Sequence, residues 1–161
     1  MIRTAAKRGR KRRIAMTKIL FICHGNICRS PMAEFIFRDL AEKNGVSDQF
    51  IVASAATSTE EIGNPVYAPA RNELARHGLG CKGKYAVQVT RADYLAYDRL
   101  ICMDGYNVRN LLRLLGGDPA GKVEKLLEKD VEDPWYTGNF EKVYAQIEEG
   151  CKALLQAYLH K

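Results

Sequence analysis

The sequence predicts an α/β fold: a parallel sheet with helices on both faces and a phosphate-binding loop after the first strand. Three observations lead there. Short runs rich in Ile, Leu, Val and Phe alternate with longer amphipathic stretches; the first run ends in a Cys, a Gly-Asn pair and an Arg; and that segment opens directly into a helical pattern. Strand and helix in alternation are the signature of parallel strands joined by helical crossovers. In such sheets ligands bind at the carboxyl ends of strands, where loops run into helix N-termini.

The strands fall at 18–23, 49–53, 98–102 and 122–127, each too short to be a helix. In the first helix Ser30 is the expected cap, and Pro31 takes the first helical position, where a missing N–H costs nothing. Met32, Phe35, Ile36 and Leu40 make its apolar face, and Asn44-Gly45 ends it. A second helix runs from Pro65 or Pro69 to His77, stopped by Gly78; a third runs from Asp104 through Leu111, Leu112 and Leu115 to Gly116-Gly117. The last spans 140–158, with Val143, Ile147, Cys151, Leu154, Leu155 and Tyr158 on one stripe.

At 161 residues the chain is one domain's worth, and no apolar run reaches the length of a membrane span. The net charge of +6 suggests nucleic acid until it is located: residues 1–16 carry seven cations and no acid, which leaves the remainder at −1. Residues 1–16 are therefore read as a basic extension that is disordered or not part of the catalytic domain, and 17–161 as the domain, with no nucleic-acid partner expected for it. A translation start at Met16 accounts for the extension better than a polyanion-binding arm or a targeting segment does, and no secretory core of apolar residues is present. Five cysteines without repeated spacing argue against a disulfide framework, so a cytoplasmic location is expected. No Cys/His spacing suits zinc, and neither metal nor cofactor is expected.

Chemistry concentrates in residues 23–30. Gly25 and Asn26 readily take positive φ, so the backbone can curl until several N–H groups point inward. That nest, closed by the helix N-terminus at Ser30-Pro31, suits an oxyanion, and Arg29 adds a planar fork for two of its oxygens. The same positive field favours the thiolate of Cys23, to which Ser30 can donate a hydrogen bond. A phosphomonoester in the nest would present phosphorus to that sulfur. The leaving group then needs an acid, and Asp133, followed by Pro134-Trp135-Tyr136 on a turn after the fourth strand, is the candidate.

Four segments, 23–34, Ser54-Ala55-Ala56-Thr57-Ser58, Arg76-His77-Gly78 and Asp133-Pro134-Trp135-Tyr136, resemble the low-molecular-weight protein tyrosine phosphatases in order and spacing, and the likeness covers about residues 17–160. The resemblance implies a three-layer fold with a four-stranded parallel sheet. It also implies hydrolysis of phosphotyrosine in proteins, or of small aryl phosphates, in two metal-free steps through a phosphocysteine. Cys23 would be the nucleophile, Arg29 the phosphate ligand and Asp133 the acid and then the base. His24, Gly25, Asn26, Ile27, Cys28 and Ser30 would line the substrate, with Trp135 and Tyr136 as its aromatic wall. Asn26, Ser30, Ser54 and His77 would hold the loop in shape, and Cys28 would form a reversible disulfide with Cys23. A monomer or weak dimer is expected.

Two positions depart from the family pattern. Glu60 stands where many members have an aromatic, and His24 where Leu, Val or Thr is usual, which bears on selectivity more than on the reaction. Arsenate reduction on the same fold needs two further relay cysteines, but Cys81 and Cys102 are not in one flexible segment. A protein-arginine phosphatase would carry Thr in place of Ile27.

Overall fold

The computed structural model describes residues 16–160. Its centre is a four-stranded, all-parallel sheet in the order β2-β1-β3-β4, formed by β1 (Thr17–Cys23), β2 (Phe50–Ala56), β3 (Arg99–Cys102) and β4 (Val123–Lys125). The helices are α1 (Arg29–Lys43), α2 (Ala68–Arg76), α3 (Arg91–Ala96), α4 (Gly105–Leu115), α5 (Pro134–Thr137) and α6 (Phe140–Leu159). The basic extension expected at 1–16 lies outside the described residues, except for Met16.

Alternation along β1 builds the two apolar layers. Ile19, Phe21 and Cys23 pack with residues of α1, α2 and α6, while Leu20 and Ile22 pack on the opposite face with Val89, Tyr94 and Leu111. Both faces are buried, as a parallel sheet requires. The strand is therefore a continuous apolar run with no polar alternation, and this is the pattern that made it legible. From β1 the chain crosses to β2 on one side, whereas β3 pairs on the other, so the loop after Cys23 opens at the point where the strand order reverses.

Several boundaries differ from the sequence reading. Helix α1 starts at Arg29 with Cys28 at its cap position and no side-chain cap, so Ser30 does not cap it and Pro31 is its third residue. The Ser30 hydroxyl is used instead inside the loop, and Pro31 still costs no hydrogen bond because the first turn has no intrahelical acceptors for its N–H groups. Strand β2 runs on to Ala56, since Ser54, Ala55 and Ala56 pair with Phe21, Ile22 and Cys23. Helix α3, too short to show periodicity, is set by a capping box in which Thr90 Oγ1 accepts from Asp93 N and Asp93 accepts from Thr90 N. Asp104 caps α4 in the same way rather than beginning it.

Candidate active site

The loop from Cys23 to Arg29 closes over its own sulfur. Asn26 alone in it has a positive φ, +61°. Gly25 is not in that region; a Cβ there would lie 3.3 Å from Glu61 Cγ, a tight contact that a small shift of the Glu61 side chain would relieve. The left-handed turn aims the Asn26 N–H at Cys23 Sγ, 3.3 Å away. Ser30 Oγ lies 2.9 Å from the same sulfur.

A buried polar chain fixes this geometry. Asn26 Nδ2 donates to Ser30 Oγ at 2.8 Å and to Ser54 Oγ at 3.0 Å, while its Oδ1 accepts from Val87 N at 3.1 Å. Ser54 Oγ in turn donates to Glu34 Oε1 at 2.6 Å. Asn26, Ser30 and Ser54, all expected to support the loop, therefore meet. His77 does not join them: its Nε2 pairs with Glu73 Oε2 at 3.1 Å and its ring stacks on Tyr144 at the C-terminal end of α2. Two cations stand at the network: Lys84 Nζ donates to the Ser54 carbonyl at 2.8 Å, and Arg38 Nη2 pairs with Glu34 Oε2 at 2.8 Å. Sequence reasoning gave no role to Lys84, which stands in no motif, or to Glu34, which closes the segment 23–34, because both reach the network only through folding.

Arg29, 3% exposed, enters from the first turn of α1. Its Nη1 donates to Asp104 Oδ2 at 2.7 Å and to the Val131 carbonyl at 3.0 Å, and its Nη2 lies 3.5 Å from Asp133 Oδ2. Burial opposes the guanidinium charge, yet Cys23, Asp104 and Asp133 outweigh it and raise the Arg29 pKa. Asp104 is a further residue missed from sequence, where it read only as a helix start. Asp133 caps α5, accepting from Trp135 N at 3.1 Å through Oδ1, so its second oxygen faces the cleft.

The cleft encloses about 160 Å³ between Cys23, Ile27, Cys28 and Arg29 below, His24, Glu60 and Glu61 on one rim, and Asp133, Trp135 and Tyr136 on the other. Trp135 leans on Tyr67 with ring centroids 4.9 Å apart, whereas Tyr136 is 83% exposed. His24 Nε2 pairs with Glu60 Oε2 across the first rim. Ile27 is anchored by its carbonyl, which accepts from Tyr67 N at 2.8 Å. Cys28 borders the same cleft, its thiol pushed well up by burial and then by the neighbouring Cys23 and Asp133. Cys81, Cys102 and Cys151 are free and buried, and Cys102 sits inside β3 as expected.

Among the described residues no group of His, Cys, Asp and Glu is placed to hold a metal ion, and no helix is long and apolar enough to cross a membrane. The arrangement can bind a dianionic tetrahedral group against Arg29 and the loop amides, attack it with sulfur, and transfer a proton from a carboxyl on the opposite rim.

Comparison with known proteins agrees with this geometry. Residues 18–161 match the family described as low molecular weight phosphotyrosine protein phosphatase. The low molecular weight protein-tyrosine-phosphatase YfkJ of Bacillus subtilis is 42% identical over 147 residues, covering 87% of this chain and 94% of that protein. The human low molecular weight phosphotyrosine protein phosphatase is 39% identical over 152 residues, covering 88% and 96%. The crystal structure of YfkJ superposes with a TM-score of 0.88 at 40% identity, covering 92% of this chain and 98% of that one. A low molecular weight protein tyrosine phosphatase from Streptococcus pyogenes superposes with a TM-score of 0.83 at 36% identity, covering 88% and 93%.

Proposed function

The chain belongs to the low molecular weight phosphotyrosine protein phosphatase family and is a hydrolase acting on phosphotyrosine, and we propose that it works in two metal-free steps through a phosphocysteine. In the first, the Cys23 thiolate forms a bond to phosphorus as the bond to the phenolic oxygen breaks, and Asp133 gives its proton to the departing phenolate. In the second, the Asp133 carboxylate takes a proton from water, whose oxygen displaces sulfur from phosphorus. Inorganic phosphate leaves and the thiolate is regenerated.

The observation that supports this reading is that Cys23, Arg29 and Asp133 line one cleft, with Arg29 Nη2 3.5 Å from Asp133 Oδ2. Arg29 Nη1 is committed to Asp104 and Val131. Its Nε, together with Nη2 beyond the 3.5 Å contact to Asp133 Oδ2, would then meet the equatorial oxygens, where charge builds in the transition state. Trp135 and Tyr136 would flank the aryl ring. Ile27, which borders the cleft and is 7% exposed, favours phosphotyrosine over phosphoarginine, and the burial of Cys102 speaks against a cysteine relay to arsenate. The protein would act in the cytoplasm through residues 17–161 as a monomer or weak dimer.

Rapid quench of the parent with an aryl phosphate, followed by mapping of the phosphoryl group, tests the mechanism. A phosphoryl adduct on Cys23 is expected, and chelators should leave turnover unchanged. Cys23→Ser abolishes activity, and Asp133→Ala lowers turnover by about 10²-fold. Activity surviving Cys23→Ser refutes the mechanism.

A further inference from the structure

A second groove, of about 450 Å³, lies beside the cleft and shares His24 with it. Its other walls come from Thr57 and Ser58, just past the end of β2, and from Tyr106, Asn110 and Arg113 on α4. The β2 side is tied to the loop that carries the nucleophile. Thr57 N donates to the Cys23 carbonyl at 3.0 Å, and Ser58 N donates to the His24 carbonyl at 3.1 Å. The groove is therefore held at a fixed place relative to Cys23.

Two polar atoms on its wall, His24 Nδ1 and Thr57 Oγ1, are buried without a hydrogen-bond partner among the described residues. Such groups are rare in folded proteins because burial without a partner is unfavourable, and a ligand that supplies the bond recovers the loss. Thr57 is 7% exposed, and one χ1 step exchanges its hydroxyl and its methyl, which brings Oγ1 to the groove. His24 Nε2 is engaged by the Glu60 carboxylate, which can only accept. In the neutral ring Nδ1 is then the acceptor, suited to a peptide N–H. The α4 side supplies positive charge. Arg113 is exposed, and its Nη1 donates to Asn110 Oδ1 at 3.2 Å, which leaves the Asn110 Nδ2 hydrogens to donate outward. Arg109 stands 5.6 Å from the centre of the Tyr106 ring at the groove's edge. No Asp or Glu lines this groove, whereas Glu60 and Glu61 both line the cleft.

We propose that this groove is a specificity subsite for a residue flanking the phosphotyrosine of a peptide substrate, and that it takes an acidic side chain. The carboxylate pairs with Arg113 and accepts from Thr57 Oγ1 and Asn110 Nδ2. His24 borders both cavities, so a peptide with its phosphotyrosine in the cleft passes over His24. At about 3.3 Å per extended residue, the side chain one or two positions away then falls over the groove. The inference rests on hydrolysis of phosphotyrosine at Cys23. A small aryl phosphate has no flanking residue and reads the cleft alone, so the two ideas fail separately.

The test uses the full chain and its variants Arg113→Gln, Arg113→Glu and Thr57→Val. Each is assayed for kcat/KM on phosphotyrosine peptides that carry Glu, Gln or Lys, in turn, at either of the two positions on each side. Every value is divided by the same protein's kcat/KM on an aryl phosphate. At one position or two adjacent ones the parent should prefer Glu to Gln by about fivefold, and Glu to Lys by more, with the preference shrinking as salt is raised. Arg113→Gln should bring Glu and Gln to within about twofold, and Arg113→Glu should reverse the preference toward Lys. Arg113 is exposed, so neither change disturbs the core. Thr57→Val keeps the branched shape and removes the hydroxyl. It should cut the preference for Glu by about twofold with no loss of thermal stability, because no partner within the protein is lost. Equal rates for Glu, Gln and Lys at all the positions, or a preference for Glu that survives Arg113→Glu, would overturn the proposal. Turnover of the aryl phosphate with none of any peptide would overturn the reading of the substrate as a phosphotyrosine protein, and the subsite with it.

Discussion

Arg29 and Asp104, 75 positions apart in sequence, form a 2.7 Å ion pair in which the arginine is 3% exposed. The pair, with the Val131 carbonyl, fixes the guanidinium, whose Nη2 lies 3.5 Å from Asp133 Oδ2. Because Asp104 is fixed by its own capping role at α4, it orients Arg29 from a rigid support. Asp104→Asn keeps the cap but removes the charge, and a buried cation left short of one partner is costly. We expect kcat/KM on aryl phosphates to fall by about 10- to 100-fold, with the larger part in kcat. Steady-state kinetics on a variant shown by circular dichroism to be folded would check it.

Cys28 borders the cleft beside the nucleophile and is kept as a thiol by burial. If Cys28 and Cys23 form a reversible disulfide, it would stop oxidation of Cys23 short of the sulfinic acid, and after peroxide treatment the parent should recover most of its activity on addition of a thiol. Cys28→Ser should keep basal turnover within a few-fold and lose that recovery. Equal recovery in both proteins would refute the redox role.

Glu132 ties down the segment that carries Asp133. Thr137 Oγ1 donates to its Oε2 at 2.5 Å, Lys142 Nζ lies 2.9 Å from Oε1, and Asn139 Nδ2 donates at 2.8 Å. These bonds hold its carboxyl down from an ordinary 4.5 to about 2. The folded state thus binds fewer protons than the unfolded chain in that window. The stabilisation is fully present above about pH 4.5 and is lost as pH falls toward 2. Glu132→Gln should be less stable than the parent at pH 6, and the difference should narrow by pH 3, as read from thermal melts.

Gly150 lies in the middle of α6, where glycine is usually a liability. A Cβ there would fall 2.4 Å from Leu126 Cγ, beyond what a side-chain adjustment can absorb. Gly150→Ala should therefore destabilise the fold, by about 1–3 kcal/mol, despite alanine's better helix propensity. Urea denaturation would measure the difference, and a stabilised variant would contradict the packing account.

Much of the architecture was legible because it follows from local rules. The run Ile19-Leu20-Phe21-Ile22 has to be buried on both faces, which marks a central parallel strand. Glycines at 78 and 116 end helices with φ of +78° and +77°. Helix α3 escaped notice because six residues give no periodicity, and α1 was placed late because Ser30 looked like a cap. Serine's hydroxyl serves the partners nearest in space, and here those are Asn26 and Cys23.

The sequence by itself determined the layered α/β fold, and it placed Cys23, Asn26, Arg29 and Ser30 within eight residues, so that their mutual reach is set by one turn of backbone. Asp133 stood out only through the likeness of the Asp-Pro-Trp-Tyr run to the family's motif. Only the tertiary structure decided what holds those groups. Asp104 on Arg29, and Glu34 with Lys84 around Ser54, bring together residues from different strands and helices. Their spacing in sequence carries no signal, because their contact depends on how α1, β2 and α4 pack on the sheet. His77 shows the reverse case: a residue placed in the network by motif alone was drawn to Glu73 and Tyr144, the partners that packing brings to it.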